Sequence, residues 1–390
     1  MPQPPLLRRV STSVIIAGQV FPVSSWKAVL ANHGSMGTAT AKGSLSDLIN
    51  SGLDIVDASQ AVNGATFDIR IGYDGGNDLV FSGVVDDCDL NWDDDSFEVR
   101  GRDHSAVLAD GRQTVAGLDY RNQTIGQIAR QIAAKFGFKA DITDPGIMAG
   151  PEMNGENFYV PQPRNYWNML QELADTVGYE CYVTPEQVLY FGPEREQGSV
   201  EVNYGAQRGV KATNPAWGFR VHYSPRNNSN IVVKALSVNL QTRQTVTASA
   251  TAAPTRLGKG RKSTSTVSGN PSKAKYPSPG GSGSTSKAKT IYYIREPGLS
   301  PEQAQAKCQA MADSLAKHQI VCEMSIDGLT SLKLHSRVTV VESTISLYGF
   351  AGVPMNVAEV THSFNMPSDQ NSQEDGFVTS FRAIALVEDA

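Results

Sequence analysis

The stretch that most constrains this chain runs from Asn165 to Pro193, NYWNMLQELADTVGYECYVTPEQVLYFGP. Trp167, Leu170, Leu173, Ala174 and Val177 recur at helical spacing, and Gly178 stands where a left-handed C-terminal cap belongs. Tyr179 to Val183 and Val188 to Phe191 then read as two short strands, joined by Thr184-Pro185-Glu186-Gln187. A helix stopped by glycine and followed at once by a hairpin is a small α+β module. Nothing in it carries catalytic chemistry.

With 390 residues the chain exceeds one ordinary core, so two to four domains are expected. No apolar run approaches the roughly 20 residues that span a bilayer, and polar Ser11, Thr12 and Ser13 interrupt any leader-like segment after Arg8 and Arg9. The four cysteines, Cys88, Cys181, Cys308 and Cys322, lie far apart without a CxxC pair, which points to reduced, buried thiols, a product of the cytosol and no zinc site. Thirty-five glycines and 20 prolines with few helical patterns favour a β-rich chain.

The net charge of −5 is unevenly distributed. Gln241 to Thr290 holds nine lysines and arginines and no acid, so the remainder is distinctly acidic. This span is rich in Ser, Thr, Gly and Pro. It reads either as a solvated tether or as a segment laid on an acidic neighbour, such as another copy of the chain. The contact reading makes Arg256, Lys259, Arg261, Lys262, Lys273 and Lys275 the candidate partner-contact residues.

From Leu6 to about Asp103 the pattern is strand and turn. Thr66 to Tyr73 alternates Phe67, Ile69, Ile71 and Tyr73 with Asp68, Arg70 and Gly72, as a half-buried strand does. Leu79 to Trp92 and Phe97 to Arg102 follow, closed by Asp93-Asp94-Asp95-Ser96, and Ser44 to Leu53 fits a short helix. The block predicts an antiparallel barrel or sandwich. Ser105 to Val200 predicts an α+β domain, with an amphipathic helix opened by Thr124 and Gln127 as a capping box and ended by Gly137. Strands return at Gly218 to Tyr223 and Asn230 to Leu240. Ser300-Pro301-Glu302-Gln303 starts a further helix, and the last strands fall at Gln319–Ile326, Arg337–Glu342, Met355–Phe364 and Phe377–Leu386.

The search for chemistry is negative. Asp86, Asp87 and Asp89 with Asp93, Asp94 and Asp95 lack the ligand register of a calcium loop. The histidines show no metal spacing. Asp103-His104-Ser105 are adjacent, whereas a triad converges from separate places. There is no nucleophile elbow and no phosphate loop. Tyr166, Trp167, Tyr179, Tyr182 and Tyr190 are core rather than a binding platform, and the basic span lacks the aromatic interleaving of a nucleic-acid reader. No catalytic, cofactor or metal residue is assigned.

Phe97 to Arg112, FEVRGRDHSAVLADGR, resembles the strand exit and turn that leave the first barrel of phage tail hub proteins: the late-control protein D family, the baseplate hub of contractile phages and the hub half of type VI secretion spikes. The Thr124–Phe138 helix, the aromatic–Leu–Leu-Ala–Gly helix with its Tyr-rich hairpin through Pro193, the Pro301–Lys317 helix, and the closing strands around NVAEVTHSF (Asn356–Phe364) and GFVT (Gly376–Thr379) follow in the family's order. His335-Ser336 replaces the family's Pro-Gly, and Thr247 to Lys289 is an added loop to which nothing is carried over. The resemblance implies a mainly β fold with an α+β insert and two antiparallel barrel-like units per chain. It places the first barrel at 1–105, the insert at 106–200, the second barrel at 201–246 plus 318–390, and a basic loop with a helix at 247–317. It also implies a non-enzymatic homotrimer in a virion tail, assembled in the host cytoplasm. Such a hub joins a sixfold tail tube protein to a threefold central spike beside other baseplate proteins, and genome DNA passes its channel without specific binding. A tail-associated peptidoglycan-degrading enzyme and a carbohydrate-binding tail protein are the alternatives.

Overall fold

The structure is a computed structural model that describes residues 9–31, 34–52, 64–113, 120, 122–149, 164–204, 214–223, 231–238, 243–252, 263–267, 290–296, 298–317, 320–342, 352–366 and 376–385. The first unit holds strands β1 (Val10–Ile16), β2 (Gln19–Phe21), β3 (Ser25–Ala31), β4 (Thr38–Ser44), β5 (Thr66–Tyr73), β6 (Asp78–Asn91) and β7 (Ser96–Asp103), with a short helix, Leu45–Asn50, after β4. They pair antiparallel in the order β2-β1-β5-β6-β7-β4-β3. The sheet wraps one core that includes Val14, Phe67, Ile69, Phe81, Phe97 and Val99. It curls until β3 meets β1, where Trp26 Nε1 donates to Thr12 Oγ1 at 2.9 Å. Close approach on this surface needs glycine. A Cβ on Gly101 would lie 2.4 Å from Val84 O and 2.7 Å from the Phe67 ring.

The insert follows. Helices Ser105–Asp110, Ile125–Lys135 and Tyr166–Val177 pack with a mixed sheet of β9 (Lys139–Ile142), β11 (Glu180–Val183) and β12 (Val188–Gly192), while β8 (Arg112–Gln113) pairs with β10 (Arg164–Asn165). The capping box at Thr124 is formed in both directions. Gly178 is left-handed at φ 70°, and the next amide, Tyr179 N–H, donates to Ala174 O at 3.0 Å, which ends the helix at the expected residue. Trp167, Leu170, Leu173 and Ala174 are buried with Ile128, Ile132, Cys181, Leu189 and Phe191.

After the insert come β13 (Ser199–Tyr204) and β14 (Pro215–Tyr223). A separate four-stranded sheet follows, of β15 (Ile231–Val238), β16 (Thr245–Ala252), β17 (Ser263–Val267) and β18 (Thr290–Arg295), ordered β17-β16-β15-β18. The helix Pro301–Lys317 lies across it, opened by the reciprocal Ser300–Gln303 cap. Here the structure corrects the expected division. The expectation puts 201–246 in the second barrel and 247–317 in a loop with a helix. Instead β15 and β16 join β17, β18 and that helix around their own core of Val233, Ala235, Ala248, Ala250, Ala304 and Cys308. Alternating apolar residues mark a buried face but do not say against which layer it is buried.

The chain closes with β19 (Ile320–Asp327), β20 (Arg337–Glu342), β21 (Pro354–Asn365) and β22 (Gly376–Ala385). β21-β20-β13-β14-β19-β22 close on themselves into a six-stranded barrel through the β21–β22 pairing. This barrel is mixed rather than wholly antiparallel, because β13 runs parallel to both β20 and β14. β13 enters from the insert and not through a hairpin, so no tight turn imposes the antiparallel sense.

The two β units share one 13-stranded sheet. β21 is the splice. Its start pairs with β20, and its remainder pairs with β3. The change of partner falls at a register shift between Val357 and Glu359, where a bulge bends the strand. Past the bend, Phe364 and Phe377 leave the barrel and enter the core of the first unit. Phe364 stacks on Trp26 at 6.4 Å, and Phe377 lies 6.3 Å from Trp26 and 5.9 Å from Tyr73.

Candidate assembly surfaces

The Asp103-His104-Ser105 run, set aside as a triad, sits in a buried polar cluster that does bring Ser, His and Asp together from separate strands. His104 Nε2 lies 2.9 Å from Ser82 Oγ, and Ser82 Oγ donates to Asp68 Oδ1 at 2.5 Å. The order is wrong for nucleophilic catalysis. The carboxylate of Asp68 engages the serine hydroxyl, whereas in a triad it holds the imidazole. Burial also holds His104 below its ordinary pKa, against the pull of Asp68. Asp103 accepts from Gly37 N–H at 2.6 Å and from the amide and hydroxyl of Ser105, and burial raises its pKa. These bonds tie the exit of β7 to the turn before β4 and start the first helix of the insert. Asp68 and Ser82 carry no linear signature of this role, because their partners lie across strands.

The acidic clusters are explained by register. Asp87 faces Arg100 across β6 and β7, with an ion pair at 3.6 Å, and Arg100 also binds Glu98 at 2.7 Å. Arg102 holds Asp86 at 2.6 Å and Asp110 at 3.2 Å; this pairing raises the guanidinium pKa further. Asp95 accepts from Ser44 and Ser46, which anchors the short helix to the β6–β7 turn and lowers the carboxyl pKa. Among the described residues no three His, Cys, Asp or Glu side chains are placed to hold a metal ion. All four cysteines are free, and burial pushes the Cys308 thiol up to about 11 and Cys322 to about 12. Such thiols are poor nucleophiles at neutral pH.

A cleft of about 980 Å³ lies where the end of the Tyr166–Val177 helix, the Pro301–Lys317 helix and strands β21 and β22 meet. Gly178 lies at this junction, and a Cβ built there would stand 3.1 Å from Ala310 Cβ. The cleft walls mix charges of both signs, Glu180 and Asp313 with Lys307 and Arg382.

The candidate contact residues Arg256, Lys259, Arg261, Lys262, Lys273 and Lys275 lie outside the described residues. The strands that flank them, β16, β17 and β18, are described and belong to the four-stranded sheet. No described helix is long and apolar enough to cross a membrane.

No protein-family profile and no curated protein matches this sequence. Solved structures do match. A tail protein from Neisseria meningitidis MC58 superposes with a TM-score of 0.61 at 12% identity over 96% of each chain. The 43 kDa tail protein of prophage MuSo2 from Shewanella oneidensis gives 0.57 at 16% identity over 95% of this chain and 97% of that one. The E. coli c3393 protein, a type VI secretion component described as similar to the T4 phage tail proteins gp27 and gp5, gives 0.50 at 13% identity over 96% of this chain and 77% of that one. A mainly β chain with one closed barrel, a second curled sheet spliced to it and an α+β insert between them therefore has the fold of these phage tail proteins and this type VI secretion component, as the tail-hub resemblance implied.

Proposed function

We propose that this chain is a non-enzymatic hub of a virion tail, acting as a homotrimer that joins a sixfold tail tube protein to a threefold central spike. The observation that carries the reading is the splice at β21. Two β units of one chain are fused by a continuous sheet and a shared aromatic seam, so they are held as one rigid pair. A rigid pair of similar units is what a threefold ring needs in order to offer six positions to a sixfold tube. Closed cyclic symmetry makes such a ring self-limiting. Full-length matches to tail proteins support the same reading at the level of fold.

The mechanism is mechanical. The barrel and the first unit form the ring wall, the insert and the small sheet are outworks, and DNA passes through the opening. The acidic balance of the chain outside its basic span disfavours adhesion of that DNA by like-charge repulsion. The basic residues between Gln241 and Thr290 bind an acidic neighbour in the assembled tail. Light scattering on the purified full-length chain, together with its detection in purified tails, tests this function. A homotrimer that co-purifies with tails is expected; a persistent monomer with no place in a tail contradicts it.

A further inference from the structure

Among the described residues, β15, β16 and β18 bury one face on the Pro301–Lys317 helix and leave the other exposed. On the open face the register of β15 with β18 sets Val232 beside Ile291, Lys234 beside Tyr293 and Leu236 beside Arg295. Leu236, Ile291 and Tyr293 are 49%, 43% and 58% exposed, and Val238 joins them. Among the described strands β18 has a neighbour on one side only, and its sequence, TIYYIR, is β-branched and aromatic. An apolar edge strand of this kind is a hazard unless a partner covers it. The charged outward residues on the β15–β18 rungs, Lys234 and Arg295, are both basic.

A surface of the opposite kind lies at one end of the first unit. Three elements converge there. Phe21 of β2 meets Phe97 at 6.3 Å, and Asp95 of the β6–β7 turn binds the start of the Leu45–Asn50 helix through Ser46 N–H at 2.9 Å. From these elements project Val20, Ile49 and Trp92, which are 63%, 50% and 67% exposed. The charges beside them, Asp47, Asp93 and Asp94, are all acidic.

We infer that these two surfaces meet between neighbouring copies of the chain: the Trp92 end of one first unit seats on the β15–β18 face of the next. Each surface is apolar at its centre, and their flanking charges are opposite, which sets register and partner choice. The surfaces differ from one another, so the contact is head-to-tail, the kind that builds a ring when its rotation closes, and not a twofold pair. This rests on the homo-oligomeric reading above and adds which surfaces touch. It also supplies the acidic neighbour for the basic span, which is attached to the same small sheet.

The test is charge exchange in the full-length chain, read by native mass spectrometry across a concentration series. Lys234→Glu with Arg295→Glu, and separately Asp93→Lys with Asp94→Lys, are each expected to weaken association about tenfold or more. The chain carrying all four changes is expected to recover to near the parent. Trp92→Ala weakens association, and at dilutions where both chains are monomeric it leaves the melting temperature unchanged, because the indole is exposed. A parent that associates while both charge variants associate equally well overturns this contact and leaves the hub reading standing. Failure of the fourfold variant to recover overturns the contact as well. A parent that stays monomeric at every concentration overturns both.

Discussion

Phe377→Ala tests whether the two β units are one mechanical body. Phe377 belongs by sequence to the last strand of the closed barrel, yet it is 2% exposed and sits in the core of the first unit against Trp26 and Tyr73. Its ring lies flat on the backbone at Gly328, where a Cβ would fall 1.9 Å from Phe377 Cδ1. Removing a buried phenyl ring costs about 4 kcal/mol in lost transfer and cavity terms, and since 1.36 kcal/mol is tenfold, that is roughly a thousandfold in the opening equilibrium. Native-state hydrogen exchange read by mass spectrometry resolves where the loss falls. Amides of β3 and β5 in the first unit and of β21 and β22 in the barrel are expected to lose protection together, while the Tyr166–Val177 helix keeps most of its own. A double-mutant cycle sharpens the point. Gly328→Ala is expected to destabilise the parent strongly and the Phe377→Ala background little. Loss of protection confined to Gly376–Ala385, or additive effects of the two substitutions, refutes the shared-core reasoning.

Further outcomes follow from individual residues. Burial lowers the pKa of His362 to about 4, below its unfolded value, so the unfolded chain binds the proton first. Stability is therefore complete above about pH 6.5 and falls as pH drops toward 4, by about 3 kcal/mol in all; urea titrations at several pH values check this, and His362→Gln, which keeps a donor toward Thr379, should flatten the slope. Gly178→Ala places a side chain at φ 70° and against Ala310, and is expected to lower stability by at least about 1 kcal/mol, measured by thermal melts. Breaking the capping box with Thr124→Ala is expected to cost about 1 kcal/mol by the same measurement. Under native conditions a thiol reagent at pH 8 should spare Cys181, Cys308 and Cys322 and react fully only after denaturant is added; rapid native labelling of Cys181 would contradict its burial.

Local grammar was readable because local forces decide it. Gly178, Thr124 with Gln127 and Ser300 with Gln303 act within one turn of their own helix, and each stands in the structure as the sequence indicates. The alternation in Thr66–Tyr73 likewise fixes one buried face whatever the partner strand. What stayed hidden depends on distant pairing. β4, TATAKGS, carries only alanine and glycine inward, so its alternation has almost no hydrophobic contrast. β15 alternates well, but nothing in it distinguishes the barrel from the small sheet. The splice at β21 follows from a bulge and a change of neighbour, neither of which leaves a mark on composition. The Asp68–Ser82–His104 cluster is assembled by the β5–β6–β7 register and had no linear signature. Assembly surfaces were the least legible, since exposed Trp92 and Tyr293 look in sequence like any other core aromatic.

On the function proposed above, this chain is the ring where a tail changes symmetry. An electron cryo-microscopy reconstruction of the tail end, computed without imposed symmetry, tests it most directly. Three copies are expected in one layer, their paired β units forming a near-sixfold wall around an open channel, with the Trp92 end of each copy on the β15–β18 face of the next. A tail in which this chain is absent, or in which its copies stand outside the channel wall, would contradict it.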